Sequence, residues 1–240
     1  MEIVEKKNNK IVFKAEMEES IANVIRRYLG HISILAVDEV EISKNDSALY
    51  DETIAHRIGL IPIKTDKTVN EKTTANLKIA SEKEGTIYSG ELKGGVKVVY
   101  DKIPITLLNK GQEFELTAKV RAGKGIEHAK FSSGLMFYRN FASARIEKDC
   151  PSEILESCKK NTVKTEGGKI VISDVYGNDA CEAVIEKYMK EGKTQIEIIP
   201  SDELIITVES FGQMDAEDMF RKSIEALKKD LAIVEKKVEK

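Results

Sequence analysis

Apolar residues recur with a helical period near the start of the chain. Between residues 18 and 30 they fall at every fourth position, at Ile21, Ile25 and Leu29. One face of the predicted helix is therefore apolar. Acidic residues precede this run and Gly30 follows it, which is typical of the start and the stop of a helix.

A longer helix is predicted from Asp215 to Val238. Its large apolar residues follow one another at intervals of 4, 3, 4, 3 and 4, the spacing of a coiled-coil seam: Phe220, Ile224, Leu227, Leu231, Val234 and Val238. Such a stripe forms an exposed apolar patch unless something covers it. Two interpretations stay open, because the helix could pack on the chain's own sheet or could meet another subunit.

Period-two alternation between these helices predicts strands. Residues 10–17 are predicted to form a half-buried strand. The strand over residues 34–42 is predicted to have one face formed by Ile34, Ala36, Val40 and Ile42. A short helix ends at Gly59, and Gly123 and Gly125 interrupt a strand that starts near residue 113. Further strands are predicted over residues 76–80, 85–88, 97–100, 103–108, 137–146, 169–172, 195–199 and 204–208, and helices over 151–158 and 179–191. This is an α+β fold with a mainly antiparallel middle region.

Composition excludes several classes of protein. The chain has 240 residues, 41% of them hydrophobic, which favours a folded protein of one large or two to three small domains. The net charge is −3, without the basic excess of a protein that binds DNA by itself. No apolar run approaches the ~20 residues of a membrane span, and the polar N-terminus predicts a cytoplasmic protein.

A charged segment, Asp51, Glu52, His56 and Arg57, is the strongest candidate for chemistry. Histidine titrates near neutrality, which allows an acid–base interpretation. However, no nucleophile motif lies nearby, and the glycine pair at 94–95 lacks the spacing of a phosphate-binding loop. The alternatives are a structural cluster and a contact with a partner protein.

Other polar and thiol residues are less informative. Arg26 and Arg27 lie near the C-terminal end of the predicted helix, where the helix dipole favours cations. Arginine also suits pairing with carboxylates at interfaces. His128 is interpreted as an ordinary polar loop residue. Cys150, Cys158 and Cys181 are odd in number and lack the pattern of a disulfide framework.

Six stretches, in order along nearly the whole chain, carry a resemblance to a known family: IANVIRRYLGHI, AVDEVEI, ALYDETIAHRIGLIPIKTD, IPITLLNKGQEFEL, GKGIEHAKFSSGL and VESFGQMDAEDMF. They resemble the family of alpha-like (D) subunits of archaeal DNA-directed RNA polymerase. That family is the counterpart of the third-largest subunit of eukaryotic polymerase II and of bacterial alpha.

The resemblance implies a discontinuous dimerisation domain over 1–47 and 199–240, an inserted β-rich lobe over 48–148 and a ferredoxin-like remnant over 149–198. It implies pairing with the small subunit L, and contacts with the small subunits N and P and the large catalytic subunits. The residues implied to line the dimer interface are Ile21, Ile25, Leu29, Phe220, Ile224, Leu227 and Leu231. Those implied to dock a large subunit are Arg26, Arg27, Asp51, Glu52, His56 and Arg57.

Many relatives bind iron–sulfur clusters in the third lobe through closely spaced cysteines. Here seven residues separate Cys150 from Cys158, and Cys181 stands alone. Because a four-iron cluster needs four thiolates, we expect no cofactor in this chain, the alternative being a three-cysteine site completed by another ligand. The β-rich lobe has no cysteine, so the zinc site of some eukaryotic relatives is also expected to be absent. The function implied is a non-catalytic assembly subunit; the competing classes are a free-standing α+β enzyme using Asp51 and His56, and a redox protein.

Overall fold

The computed structural model describes residues 1–66, 69–147, 150–159, 162–192 and 194–238. The described helices are α1 (Glu19–Tyr28), α2 (Asp51–Gly59), α3 (Ser152–Ser157), α4 (Asp179–Glu191) and α5 (Ala216–Val238). The described strands are β1 (Glu2–Lys7), β2 (Lys10–Glu16), β3 (Ser33–Asn45), β4 (Thr74–Ser81), β5 (Gly85–Tyr88), β6 (Lys93–Gly94), β7 (Pro104–Leu108), β8 (Phe114–Lys124), β9 (Gly134–Ile146), β10 (Val163–Glu166), β11 (Lys169–Ile172) and β12 (Ile196–Ser210).

The chain divides into two compact units. The first unit contains residues 1–4, 12–22 and 137–207, and the second contains residues 5–11, 23–136 and 208–240. These units do not coincide with the three lobes implied by the resemblance, since residues 23–47 group with the β-rich region. The three-part division stays a prediction about functional domains, and so does the ferredoxin-like origin of the third lobe.

The second unit is built around an antiparallel sheet with the strand order β3-β8-β4-β6. Helix α2 contributes Ile54 and Ile58, both fully buried, to the same hydrophobic core. The antiparallel pair of β5 and β7 adds Ile87 and Ile105 to the core. Alternating burial along β8 follows the pleat, because every second side chain faces the core.

The prediction of which β3 residues share a face was wrong, because the strand contains a register shift. Pairing with β8 moves from Val37 to Glu39, so Asp38 is an extra residue in the ladder. A bulge of this kind reverses the alternation beyond it. Val40 and Ile42 therefore pack in the same cluster as Leu35 and Val37, not on the face of Ile34 and Ala36.

Two local predictions in the second unit were wrong. Strand β8 continues through Gly123 to Lys124. The Phe131 ring packs against Gly123, where an added Cβ would lie only 2.7 Å from Phe131 Cε2. The predicted strand over residues 97–100 is reduced to one bridge between Ile63 and Val98. Its remaining residues form an irregular loop.

The six-stranded sheet has the order β1-β2-β12-β9-β11-β10. Its strand β12 replaces two predicted strands and runs through Pro200, because proline is compatible with extended backbone and removes only one donor. Strands β1 and β10 were not predicted. The hairpin of β10 and β11 turns at Gly167 and Gly168, both with positive φ, as a two-residue hairpin loop requires.

Helices α4 and α5 have the predicted bounds to within one residue. The Asn178 side chain accepts a hydrogen bond from the Ala180 N–H, and Gly192 ends α4 with φ +65°. In the first unit, α3 and α4 cover a core that includes Ile146, Ile154 and Ile185. The fold is therefore mixed α and β with mostly antiparallel sheets, as the sequence predicted.

Candidate functional site

Helix α5 has two faces that differ in burial. Ala216, Met219 and Ser223 are fully buried in the second unit. Gly134 lies against this face, where an added Cβ would be 2.8 Å from the Met219 Cε atom. The predicted apolar stripe is offset from the buried face. Phe220, Ile224 and Leu227 are half-buried, whereas Leu231, Val234 and Val238 are 58%, 56% and 81% exposed.

Among the described residues, the side-chain hydrogen bond nearest the C-terminal end of α5 is at Asp230. The Tyr28 hydroxyl donates to Asp230 Oδ2 at 3.2 Å, and the Tyr28 ring stacks on His31 with centroids 4.4 Å apart. Burial, with the nearby Asp230 carboxylate, raises the pKa of the Tyr28 phenol. Every residue from 231 to 238 is exposed. The C-terminal two turns of the helix thus present their apolar residues to solvent.

Helix α1 presents less apolar surface than its sequence predicted. Ile25 and Leu29 are only 4% and 5% exposed, so they belong to the core and offer almost no surface to a partner. Ile21 is 49% exposed and Val24 is 38% exposed. The apolar residues of this helix therefore occupy more than one stripe, and burial selects the stripe that includes Ala22.

The two arginines of α1 are both exposed. The Arg26 guanidinium donates to Asn23 Oδ1 at 2.9 and 3.2 Å, one turn earlier. Within the described ranges neither Arg26 nor Arg27 forms an ion pair with a carboxylate of this chain.

Helix α2 directs its four charged residues to solvent. Asp51, Glu52, His56 and Arg57 are all exposed, while the opposite face is buried. Asp51 accepts a hydrogen bond from the Asn45 amide at 2.6 Å. Arg57 Nη2 donates to the Pro104 carbonyl at 2.7 Å, which holds the guanidinium against β7.

The histidine and the two carboxylates of α2 are not hydrogen-bonded to one another: among the described residues, no hydrogen bond joins His56 to Asp51 or Glu52. His128 also has a structural environment, since its Nδ1 accepts the Lys130 backbone N–H at 3.1 Å in an exposed turn.

The cysteines correct a second prediction. Cys158 and Cys181 form a disulfide, with Cα atoms 4.7 Å apart, although the cysteine spacing did not indicate a disulfide framework. The bond links the end of α3 to the first turn of α4 inside the apolar core of the first unit. Cys150 is a half-buried free thiol, and burial raises its pKa.

The thiols do not fit an iron–sulfur cluster. Two of the three cysteines are bonded to each other, and a four-iron cluster needs four thiolates. In the part of the chain that the structure describes, no group of three or more His, Cys, Asp or Glu side chains could hold a metal ion. In this lobe Cys158 and Cys181 are part of a disulfide-linked apolar core.

Sequence reasoning missed a charged network around Asp38, the bulge residue of β3. Lys130 Nζ lies 2.7 Å from Asp38 Oδ1, and Arg121 Nε lies 2.8 Å from Oδ2. The hydrogen bonds from Lys130 and Arg121 lower the pKa of the Asp38 carboxyl. The Arg121 guanidinium also lies 4.7 Å from the centre of the Phe131 ring. The signal was an acidic residue that interrupts an otherwise apolar run.

None of the described helices is both long and apolar enough to cross a membrane.

Comparison with known proteins identifies the chain's relatives. Residues 40–136 match the RNA polymerase Rpb3/RpoA insert domain. The DNA-directed RNA polymerase subunit Rpo3 of Pyrococcus horikoshii is 34% identical, over 95% of this chain and 93% of its own length. The Rpo3 subunits of Thermococcus kodakarensis and Methanosphaera stadtmanae are 34% and 31% identical, over 90% and 91% of this chain and 89% and 91% of their own lengths. At this identity over nearly its full length, the chain belongs to the Rpo3 family of subunits of DNA-directed RNA polymerase.

Proposed function

We propose that this chain is a non-catalytic assembly subunit, on which other polymerase subunits are brought together in the cytoplasm. The observation that carries the proposal is the exposed end of α5, where Leu231, Val234 and Val238 lie on one stripe and are all more than half exposed. Burying each side chain contributes on the order of 1.5–3 kcal/mol. Such a stripe is typical of a helix that pairs with a partner.

The proposed partner at α5 is the small subunit L. The half-buried residues Phe220, Ile224 and Leu227 extend the stripe toward the start of the helix, so the pairing surface is continuous over several turns. On α1, only Ile21 and Val24 retain surface for a partner. The proposed interface excludes Ile25 and Leu29 because they are buried.

A matched pair of variants tests pairing with subunit L. The interface variant is Leu231→Ser with Val234→Ser, and the control is Leu107→Ser with Ile126→Ser, at side chains 58% and 62% exposed. We expect the interface variant to bind co-expressed subunit L at least tenfold more weakly, because two side chains lose part of their burial energy. The control is expected to bind like the unmodified chain. Equal affinities for both variants would refute the role of α5.

The proposed docking residues for the large subunits are the exposed charges of α1 and α2. Arg26 and Arg27 have no carboxylate partner among the described residues, and arginine suits bidentate pairing at interfaces. Asp51, Glu52, His56 and Arg57 form the exposed side of α2. Their proposed role is recognition, because exposed charges of both signs suit complementary pairing with the surface of a partner.

Replacing Arg26 and Arg27 by alanine tests this docking. The fold is expected to stay intact, since both side chains are exposed and Arg26 bonds only within α1. Recovery of the complete polymerase with tagged variant should fall, whereas pairing with subunit L should not. Full recovery of the complex would contradict the docking role.

We also propose that the chain carries no cofactor, with the magnesium and the nucleotidyl transfer located on other chains. The proposal is supported by the thiol arrangement, in which Cys158 and Cys181 are bonded to each other. Iron analysis and a visible absorption spectrum of anaerobically purified protein test it. Stoichiometric iron with the broad visible absorption of a cluster would overturn it.

A further inference from the structure

A cleft of about 550 Å³ in the second unit lies outside the surfaces described above. It is formed by the turn at Asn8 and Asn9, residue Lys64, the loop from Gly90 to Asp101 and the loop from Gly212 to Asp215. Its size is in the range of ligand and peptide pockets.

Glycines hold the walls of the cleft in close contact. An added Cβ at Gly94 would lie 1.9 Å from the Asn76 carbonyl oxygen. At Gly212, where φ is +99°, it would lie 2.6 Å from Val99 Cγ1. Side chains are therefore excluded at both positions, and the glycine backbone packs directly on its neighbour. The cleft is preformed, which reduces the entropy that a ligand must overcome.

Three lysines give the cleft its positive side. Lys64, Lys93 and Lys97 are exposed, and within the described residues none forms an ion pair with a carboxylate. The backbones of Lys64 and Lys97 are joined by an N–H···O bond of 2.8 Å, which places these residues side by side. Lys93 Nζ donates to the Gly90 carbonyl, at 2.6 Å.

Apolar residues alternate with these charges. Val96, Val98, Val99 and Met214 are half-buried residues of the cleft lining. The lining thus offers apolar contact and separate positive charges within one groove.

We propose that this cleft binds an extended acidic segment of a partner protein, with its carboxylates on the lysines and its apolar side chains on the valines. A nucleic-acid strand is disfavoured, because Asp101 and Asp215 also lie in the lining and would repel evenly spaced phosphates. A peptide can place its carboxylates only where lysines stand.

Binding of a labelled peptide to the full-length chain tests the proposal. The probe is a fluorescein-labelled 12-residue peptide with three glutamates separated by valines and serines, and its binding is followed by fluorescence anisotropy. Three competitors are compared: the same peptide with glutamine for glutamate, a 12-nucleotide single strand and inorganic phosphate. We expect the glutamate peptide to bind most tightly and to weaken as salt is raised.

Two triple variants locate the binding. The cleft variant replaces three lysines: Lys64→Ser, Lys93→Ser and Lys97→Ser. The control makes the same change in charge at exposed lysines elsewhere: Lys72→Ser, Lys83→Ser and Lys110→Ser. Each lost exposed ion pair weakens binding about two- to threefold, so the cleft variant should lose about tenfold and the control should not change.

Three outcomes would overturn the proposal. Equal peptide binding by both triple variants would place the peptide elsewhere. A single strand that binds as tightly as the peptide and is lost in the cleft variant would make this a nucleic-acid site. Displacement of the peptide by millimolar phosphate would reduce it to a simple anion site. None of these results bears on pairing through α5, which is measured separately.

Discussion

The substitution Asp38→Asn tests whether the charged network stabilises the bulge of β3. Asp38 is the extra residue at the first of two register shifts in the β3–β8 ladder, and its carboxylate is held by Arg121 and Lys130. The bulge packs the partly buried Val40 and Ile42 against the core. Asparagine has nearly the same shape as aspartate but no charge, so the change isolates the electrostatic contribution.

The expected loss is about 1–2 kcal/mol of stability in the second unit. Hydrogen bonds to charged groups contribute about 1.5–3 kcal/mol when buried, whereas exposed ion pairs contribute about 0.2–1 kcal/mol. The Asp38 side chain is 31% exposed and that of Lys130 is 15% exposed, so the network lies between these cases. The substitution also leaves the Lys130 ammonium without the Asp38 charge.

The pH dependence of the Asp38 contribution to stability gives a second, independent test. Because Lys130 and Arg121 lower the pKa of Asp38 in the folded chain, its usual value of about 3.8 applies only after unfolding. Above pH ~5 the carboxyl is charged in both states and its full contribution is present. As the pH falls below 3.8, the unfolded chain binds the proton first, so the contribution declines and is lost as the pH passes through the lowered folded pKa.

The loss of stability is measured by amide hydrogen exchange at pH 7, followed by mass spectrometry of peptides from β3 and β8. A change of about 1–2 kcal/mol corresponds to about 5–30-fold faster opening. Urea unfolding should be measured for both chains at pH 7 and near pH 3. The difference in free energy of unfolding between the Asp38→Asn variant and the unmodified chain should be smaller near pH 3. Unchanged protection of both strands, or a difference that does not depend on pH, would refute the argument.

The neighbouring substitution Glu39→Gln is the matched control. Glu39 lies on the same strand and pairs with Lys119 at 2.9 Å, but its side chain is 67% exposed. Solvent screens such a pair, so exchange should not change beyond measurement error. Equal effects of Asp38→Asn and Glu39→Gln would show that burial of the network does not decide its strength.

Individual contacts and surfaces carry four further predictions. Met219→Ala should cost about 2–5 kcal/mol in urea denaturation because the side chain is fully buried, whereas Leu231→Ala should leave the midpoint unchanged. Gly94→Ala should release β6, seen as faster exchange at residues 93–94, because the Asn76 carbonyl leaves no room for a Cβ. Iodoacetamide added to denatured, unreduced protein should label Cys150 alone, and labelling of all three thiols would contradict the Cys158–Cys181 disulfide. The purified chain alone should self-associate at micromolar concentration in sedimentation, and a well-behaved monomer would count against the exposed stripe.

Local signals allowed most elements to be predicted. Helix α4 is capped by Asn178 before its first residue and by Gly192 after its last, as capping chemistry favours. The period of α5 was predicted correctly over more than five turns, and the alternation of β2 marked Ile11 and Phe13 as core residues. These features depend on neighbours within a few positions, which the sequence contains in full.

The sequence left open whether the charges of α2 form a structural cluster or a contact surface, and only the structure shows that they are exposed, opposite Ile54 and Ile58. The sequence did not distinguish the exposed apolar residues of α1 from the buried ones, since Ile21 and Ile25 are chemically alike. Only packing distinguishes the exposed residue from the buried one.

By itself, the sequence determined which segments are helical, where caps and turns lie, and which family the motifs resemble. The tertiary structure decided that Asp38 is a bulge, that β12 continues through Pro200, and that Cys158 meets Cys181. It also decided that the stripe of α5 is half-covered up to Leu227 and uncovered beyond Asp230. The physical reason is that register, disulfide pairing and burial depend on residues distant in the chain, whereas helical period and capping do not.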